Sequence, residues 1–275
     1  MPTTNVDVLH GRLHVVDDGA GPPVVLLHAG IADLRSWDAL AALLVSAGLR
    51  TIRYDARGYG GSTTDDVDYS NVDDLLAVLD ACGVTSALLV GNSRGGYVAV
   101  EAALENPGRV VGIVAVASGL SGLELPLTPE EDALFAEMEA LEGAETQDVE
   151  AIAELDVRLW VDGPGQPADR VGDQVREHVR EVDRYLYEPG RTRGRWRGPE
   201  LDAASRLGSL DLPVIAVAGE LDVSDVVPTA RFIAEHAPRG RAVVWPDVAH
   251  LIGMEQPGRL ADVVLSLADQ IGTWS

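Results

Sequence analysis

Apolar residues in this chain fall into two rhythms: short unbroken runs and longer stretches with a helical period. Residues 24–27 are apolar without interruption and precede His28-Ala29-Gly30, the pattern of a strand buried on both faces. Similar runs predict strands at 49–54, 87–90 and 110–117, and a short hairpin at 6–8 and 12–16 around His10-Gly11. Helices are expected between them, at 34–47 before Gly48, at 71–82 before Gly83, and at 94–104 before Asn106-Pro107-Gly108. Strand and helix therefore alternate through the first half.

The rhythm changes at about residue 119. From there to 210 no buried-strand run occurs, only helical segments. Thr128 can cap a helix that Pro129 opens and Glu131 closes into a capping box, with Leu134, Met138 and Leu141 on one stripe. A second helix is expected at 171–186, with Val171, Val175, Val179 and Val182 on one face, after a Gly/Pro-rich break at 162–167. Strands return at 213–218 and 242–245, with helices at 229–236 and 257–271. The fold class is α/β, a doubly wound and mostly parallel sheet. Residues 1–118 and 211–275 form its core, and 119–210 are a helical insertion large enough to act as a lid.

Composition narrows the partners. The 275 residues carry 44 acidic and 21 basic groups, a net charge of −23, and every basic residue is Arg. So acidic a surface repels phosphate backbones and anionic lipid heads, so neither nucleic acid nor membrane is an expected partner. The acidity itself serves solubility. The one cysteine, Cys82, falls in the apolar stripe of the 71–82 helix and is expected as buried filler. With no signal peptide pattern and no run of about 20 apolar residues, a cytoplasmic protein is expected. A homodimer stays open.

The chemistry centres on Gly91-Asn92-Ser93-Arg94-Gly95, between a buried strand and a helix. A nucleophile on such a turn needs a strained backbone, and small residues on either side let strand and helix approach. Ser93 then stands at a helix N-terminus, which favours developing negative charge. A serine hydroxyl needs a base. Of six histidines, His10, His14, His178 and His236 read as surface or packing residues, and His28 as a structural residue of its loop. His250 follows the last strand, at the same sheet edge as Ser93, and is the expected base. The base needs an acid to fix its tautomer. Asp222 is preferred, with Asp225 and then Glu220 behind it. The oxyanion donors expected are the backbone N–H of Arg94 and that of Gly30, with Ile31 as the alternative.

These features together resemble the α/β-hydrolase superfamily. The matching stretches are Leu26-Leu27-His28-Ala29-Gly30 with Trp37, Tyr54-Asp55-Ala56-Arg57-Gly58-Tyr59-Gly60-Gly61-Ser62, the turn at 91–95, Gly219-Glu220-Leu221-Asp222, and Ala249-His250. The order Ser, Asp, His is also that family's. The departure is Ala29, where the family often has Gly. The resemblance implies an eight-stranded sheet, a lid between the sixth and seventh strands, and hydrolysis with neither cofactor nor metal. A serine at the turn argues against the dehalogenase and epoxide hydrolase branches, which carry Asp there. A small-molecule carboxylic ester or lactone is the expected substrate, with Ile31, Trp37 and Trp160 at its pocket. Carbon–carbon hydrolysis of the meta-cleavage type, perhydrolase or haloperoxidase-like activity, and a non-catalytic ligand-binding receptor are the alternatives. Arg57 reads as an anchor of its Gly-rich loop. The segment holding Arg191, Arg193, Arg195, Trp196 and Arg197 reads as a solvated linker, or else as a cationic patch that meets a substrate carboxylate.

Overall fold

The unbroken apolar runs become the middle of one sheet. A computed structural model describes residues 3–198 and 201–274 of the chain. Its main strands are β1 (Thr3–Val8), β2 (Gly11–Gly19), β3 (Pro23–Leu27), β4 (Arg50–Tyr54), β5 (Ala87–Asn92), β6 (Val110–Val116), β7 (Val214–Gly219) and β8 (Gly240–Trp245). They lie in the order β1-β2-β4-β3-β5-β6-β7-β8, and Thr63–Thr64 adds a ninth, short strand on β2. β2 pairs antiparallel with β1, β4 and the short strand; from β4 to β8 every pairing is parallel. Every residue of β3, β5 and β7 is buried, as continuous apolar runs require of strands covered on both faces.

Helices cover those faces. The apolar stretch at 34–47 divides into a 3₁₀ turn, Leu34–Trp37, and then α1 (Asp38–Ser46). Asp33 caps the turn, its carboxylate accepting the Arg35 N–H at 2.9 Å. Ser70 caps α2 (Asn71–Ala81), which ends one residue before the half-buried Cys82. After β5 comes α3 (Arg94–Glu105), and after β6 the chain leaves the sheet.

There, α4 (Pro129–Glu142) begins with the expected capping box between Thr128 and Glu131. The next helix, α5 (Val149–Asp156), widens into a π-helical turn, Val157–Asp162, before α6 (Asp173–Leu186). Apolar period does not distinguish a π turn from an α turn, so the widening has no signature in the pattern. Val157, Val161, Val171, Val175 and Val179 then pack on Ala29, Ala32 and Leu251 of the sheet's loops. The segment is not strand-free: Arg195–Trp196 pairs with Asp68–Tyr69 in a two-residue parallel ladder. The chain returns through β7, α7 (Val226–His236), β8 and α8 (Pro257–Ile271). Among the described residues, no helix is long and apolar enough to cross a membrane.

Candidate active site

Ser93 follows β5 and caps α3 with φ 52° and ψ −113°, a conformation that residues other than Gly rarely adopt. The crowding around it explains the flanking glycines. A Cβ on Gly91 would sit 2.1 Å from the Gly95 carbonyl oxygen, and one on Gly95 would sit 2.2 Å from that of Leu27. The strained turn is thus held by close backbone contact on both sides. The Ser93 N–H donates to Val116 O at 2.9 Å, which fixes the turn against β6.

The predicted base and acid meet. His250 Nδ1 lies 2.8 Å from Asp222 Oδ2, both residues are buried, and the Asp222 side chain has no exposed surface. The other Asp222 oxygen accepts the Val223 N–H at 2.8 Å, so the carboxylate cannot rotate away freely. Asp225 instead stands at the start of α7, with one oxygen unpartnered among the described residues, and burial pushes its carboxyl up. Glu220 is exposed. With Nδ1 engaged by Asp222, Nε2 is the nitrogen left to take a proton. The Ser93 hydroxyl carries no hydrogen bond among the described residues; such bonds are often long without substrate.

Two contacts the sequence reading missed tie this edge together. The Asn92 side-chain amide donates to Val116 O at 3.2 Å and to His250 O at 3.1 Å. Asn92 was visible inside the Gly-Asn-Ser motif, but its partner is 158 residues away. The second is Trp160 in the π turn. Its carbonyl accepts the His250 N–H at 3.2 Å, and its ring centroid lies 4.5 Å from that of His250. Phe135 of α4 packs edge-on against Trp160 at 5.6 Å.

The remaining predicted residues divide. The N–H of Arg94 opens α3, one of the donors a helix leaves without an intrahelical partner. Its guanidinium stacks on Tyr59 at 4.3 Å. A Cβ on Gly30 would meet nothing within 4 Å, so that loop faces open space. Ile31 packs at the seam between this loop and the helical segment. Trp37, expected at the pocket, is 1 % exposed and belongs to the core, where Gly253 must be glycine to clear its ring. A large aromatic after a strand end reads the same way in either setting.

Other buried charges serve the scaffold. His28 Nε2 accepts the Ala56 N–H at 2.9 Å, which leaves Nδ1–H to donate to Ala29 O at 2.7 Å. Burial, then the Arg94 charge, pushes this imidazole down to about 3, so it stays neutral. The Arg57 guanidinium grips both Asp74 oxygens at 2.8 and 2.7 Å and the Leu9 carbonyl at 2.7 Å, an anchor as expected. Arg195 pairs with Asp66 and Asp68, and Arg191 and Arg193 stack on Tyr185 and Tyr187, so these guanidiniums are engaged by the protein's own side chains. Among the buried carboxyls of the helical segment are Asp156 and Asp183. Burial and then the Glu142 charge push Asp156 up, against smaller opposing effects of Trp160, His250 and Asp183. Burial, then the charges of Asp156 and Glu142, push Asp183 up, against Arg193.

A family model described as the alpha/beta hydrolase family matches residues 24–263. The chain is 26% identical over 265 residues to rhodomycin D methylesterase DauP of Streptomyces sp. (strain C5), covering 86% of this chain and 87% of that protein. It is also 26% identical over 260 residues to 2-hydroxymuconate semialdehyde hydrolase of Pseudomonas sp. (strain CF600), covering 92% and 89%. Among solved structures, a thermophilic esterase from Thermogutta terrifontis superposes with a TM-score of 0.81 at 24% identity, over 99% of this chain and 100% of that one.

Proposed function

The chain belongs to the alpha/beta hydrolase family, and from that premise we propose that it cleaves a small-molecule carboxylic ester or lactone through an acyl-enzyme on Ser93. The observation that carries this reading is the buried His250–Asp222 contact of 2.8 Å, at the sheet edge where Ser93 holds its strained turn. Residues 119–210 act as the cap over that edge.

His250 Nε2 takes the Ser93 proton as Oγ attacks the carbonyl carbon. Asp222 holds the imidazole in orientation and stabilises the imidazolium that results. The backbone N–H groups of Arg94 and Gly30 receive the oxyanion, in a site where fixed donors cost no reorganisation during reaction. The tetrahedral adduct collapses, the alkoxide leaves with the proton from Nε2, and the acyl group stays on Ser93. Water then repeats the sequence, deprotonated by His250, and releases the acid. Trp160 and Ile31 line the acyl side of the pocket.

Carbon–carbon hydrolysis remains the second reading, supported by the match to the semialdehyde hydrolase over almost the whole chain. Release of p-nitrophenol from p-nitrophenyl acetate tests the first. An initial burst with a stoichiometry near one is expected from the wild type, and none from Ser93→Ala. Equal rates for the two proteins would remove the serine from the mechanism.

A further inference from the structure

The loop that carries His250 is not held by the sheet alone. Arg170, from the loop between the π turn and α6, sits at its base with a side chain only 13% exposed. Its Nε donates to Asp162 O at 2.6 Å and its Nη2 to Val161 O at 2.5 Å, two carbonyls in the last turn of the π helix. A helix end leaves such carbonyls without intrahelical partners, so one guanidinium satisfies both. The third nitrogen, Nη1, lies 2.6 Å from Glu255 Oε2 and 3.3 Å from Asp247 O. Glu255 is itself buried at the side chain, and its other oxygen accepts the N–H of Ala249 at 3.0 Å. A continuous chain of hydrogen bonds thus runs from the π turn through Arg170 and Glu255 to the residue before His250.

The same turn reaches the imidazole from the other side. Trp160 O accepts the His250 N–H, and the Trp160 ring lies against the His250 ring. It reaches the acid loop as well: a Cβ on Gly163 would stand 2.0 Å from Leu221 O, and Glu131 of α4 accepts the Ser224 N–H at 2.8 Å. Asp222 and His250 are therefore each flanked by contacts to the segment between β6 and β7.

We propose that Arg170 is a positioning residue for His250, and that the Arg170–Glu255 pair is the clasp through which the helical segment sets the catalytic base. The proposal rests on His250 being that base. A planar guanidinium bridging two carbonyls and a carboxylate fixes both distance and angle, which a lysine ammonium does not reproduce. Loosening it moves the imidazole relative to Ser93, and displacements near 1 Å at a reacting group cost rate steeply.

The test uses the full-length protein and p-nitrophenyl acetate, with kcat expressed per active site titrated by the burst. Arg170→Met is expected to lower kcat by about 10- to 100-fold with KM within about twofold. Arg170→Lys is expected to recover part of that loss, because it keeps the charge opposite Glu255 but not the carbonyl bridge. Glu255→Gln gives a second route should Arg170→Met not fold; a several-fold loss in kcat at constant KM is expected. Unchanged kcat per titrated site in the variants, or a fall in burst amplitude alone, overturns the proposal, since a merely structural role predicts that result. Ser93→Ala is run beside them. If it retains the wild-type burst, the serine reading fails; if it is inactive while Arg170→Met and Glu255→Gln keep wild-type kcat, only the clasp fails.

Discussion

The sheet edge and the helical segment between β6 and β7 handle buried charge in opposite ways. At the edge, buried ionised groups have fitted partners: Arg57 holds both oxygens of Asp74, and Asp222 is fixed by His250 and the Val223 N–H. In the helical segment, Asp156 and Asp183 are buried beside each other with Glu142 near, and one Asp183 oxygen lacks a hydrogen-bond partner among the described residues. Arg170 and Arg176 are largely buried beside Glu255 and Asp162, but most of its other arginines pair on the outside, as in Arg180–Glu154 and Arg184–Glu150, where solvent screens the attraction. One region pairs its buried charges; the other holds two carboxyls that burial pushes toward the protonated form. A pH-dependent stability of the helical segment follows from that difference.

Breaking the edge has the larger expected effect on stability. Asp74→Ala leaves the Arg57 guanidinium buried without its carboxylate, at a cost of about 3–5 kcal/mol. Urea unfolding at neutral pH measures it, and a loss below about 1 kcal/mol would show that the two regions tolerate charge alike.

The helical segment gives the smaller effect, and its sign depends on pH. The folded-state values of Asp156 and Asp183 lie above those of an unfolded carboxylate, so between pH 4 and about 8 the folded chain binds more protons than the unfolded one. Their contribution is fully present at low pH and is lost as pH rises through that window. Asp183→Asn replaces the proton-dependent contact with a permanent donor. A gain of about 1–2 kcal/mol at pH 8, with little change at pH 5, is expected from thermal or urea unfolding. A constant difference at both pH values would contradict a raised, buried carboxyl at Asp183. The neutral His28 works in the opposite sense: its folded-state value is depressed, so the stability it contributes is present above about pH 6.5 and falls as pH drops toward 3.

The same contrast explains what was legible in the amino-acid pattern. Ser93 could be read because its requirements are local: a buried run before it, a helix after it, and glycines where backbones collide. His250 and Asp222 followed because each comes just after a strand whose end lies on one edge of a parallel sheet. The contacts of Asn92 and Trp160 to His250, and of Arg170 to Asp247 and Glu255, could not be assigned, because those partners lie 77 or more positions away along the chain. The π turn shares its apolar spacing with an α helix, and the buried Asp156 and Asp183 look like any acidic residues on amphipathic helices. Trp37 misled because pocket walls and core both accept a tryptophan.

The central claim is that Ser93 and His250 act as one unit, and a double-variant cycle tests it most directly. Turnover of p-nitrophenyl acetate would be compared for wild type, Ser93→Ala, His250→Ala and the double variant. Members of such a unit are grossly non-additive, so each single change should cost about 10⁴-fold or more and the double variant no more than either. Losses that multiply, or a His250→Ala enzyme that still turns over at the wild-type rate, would contradict the account.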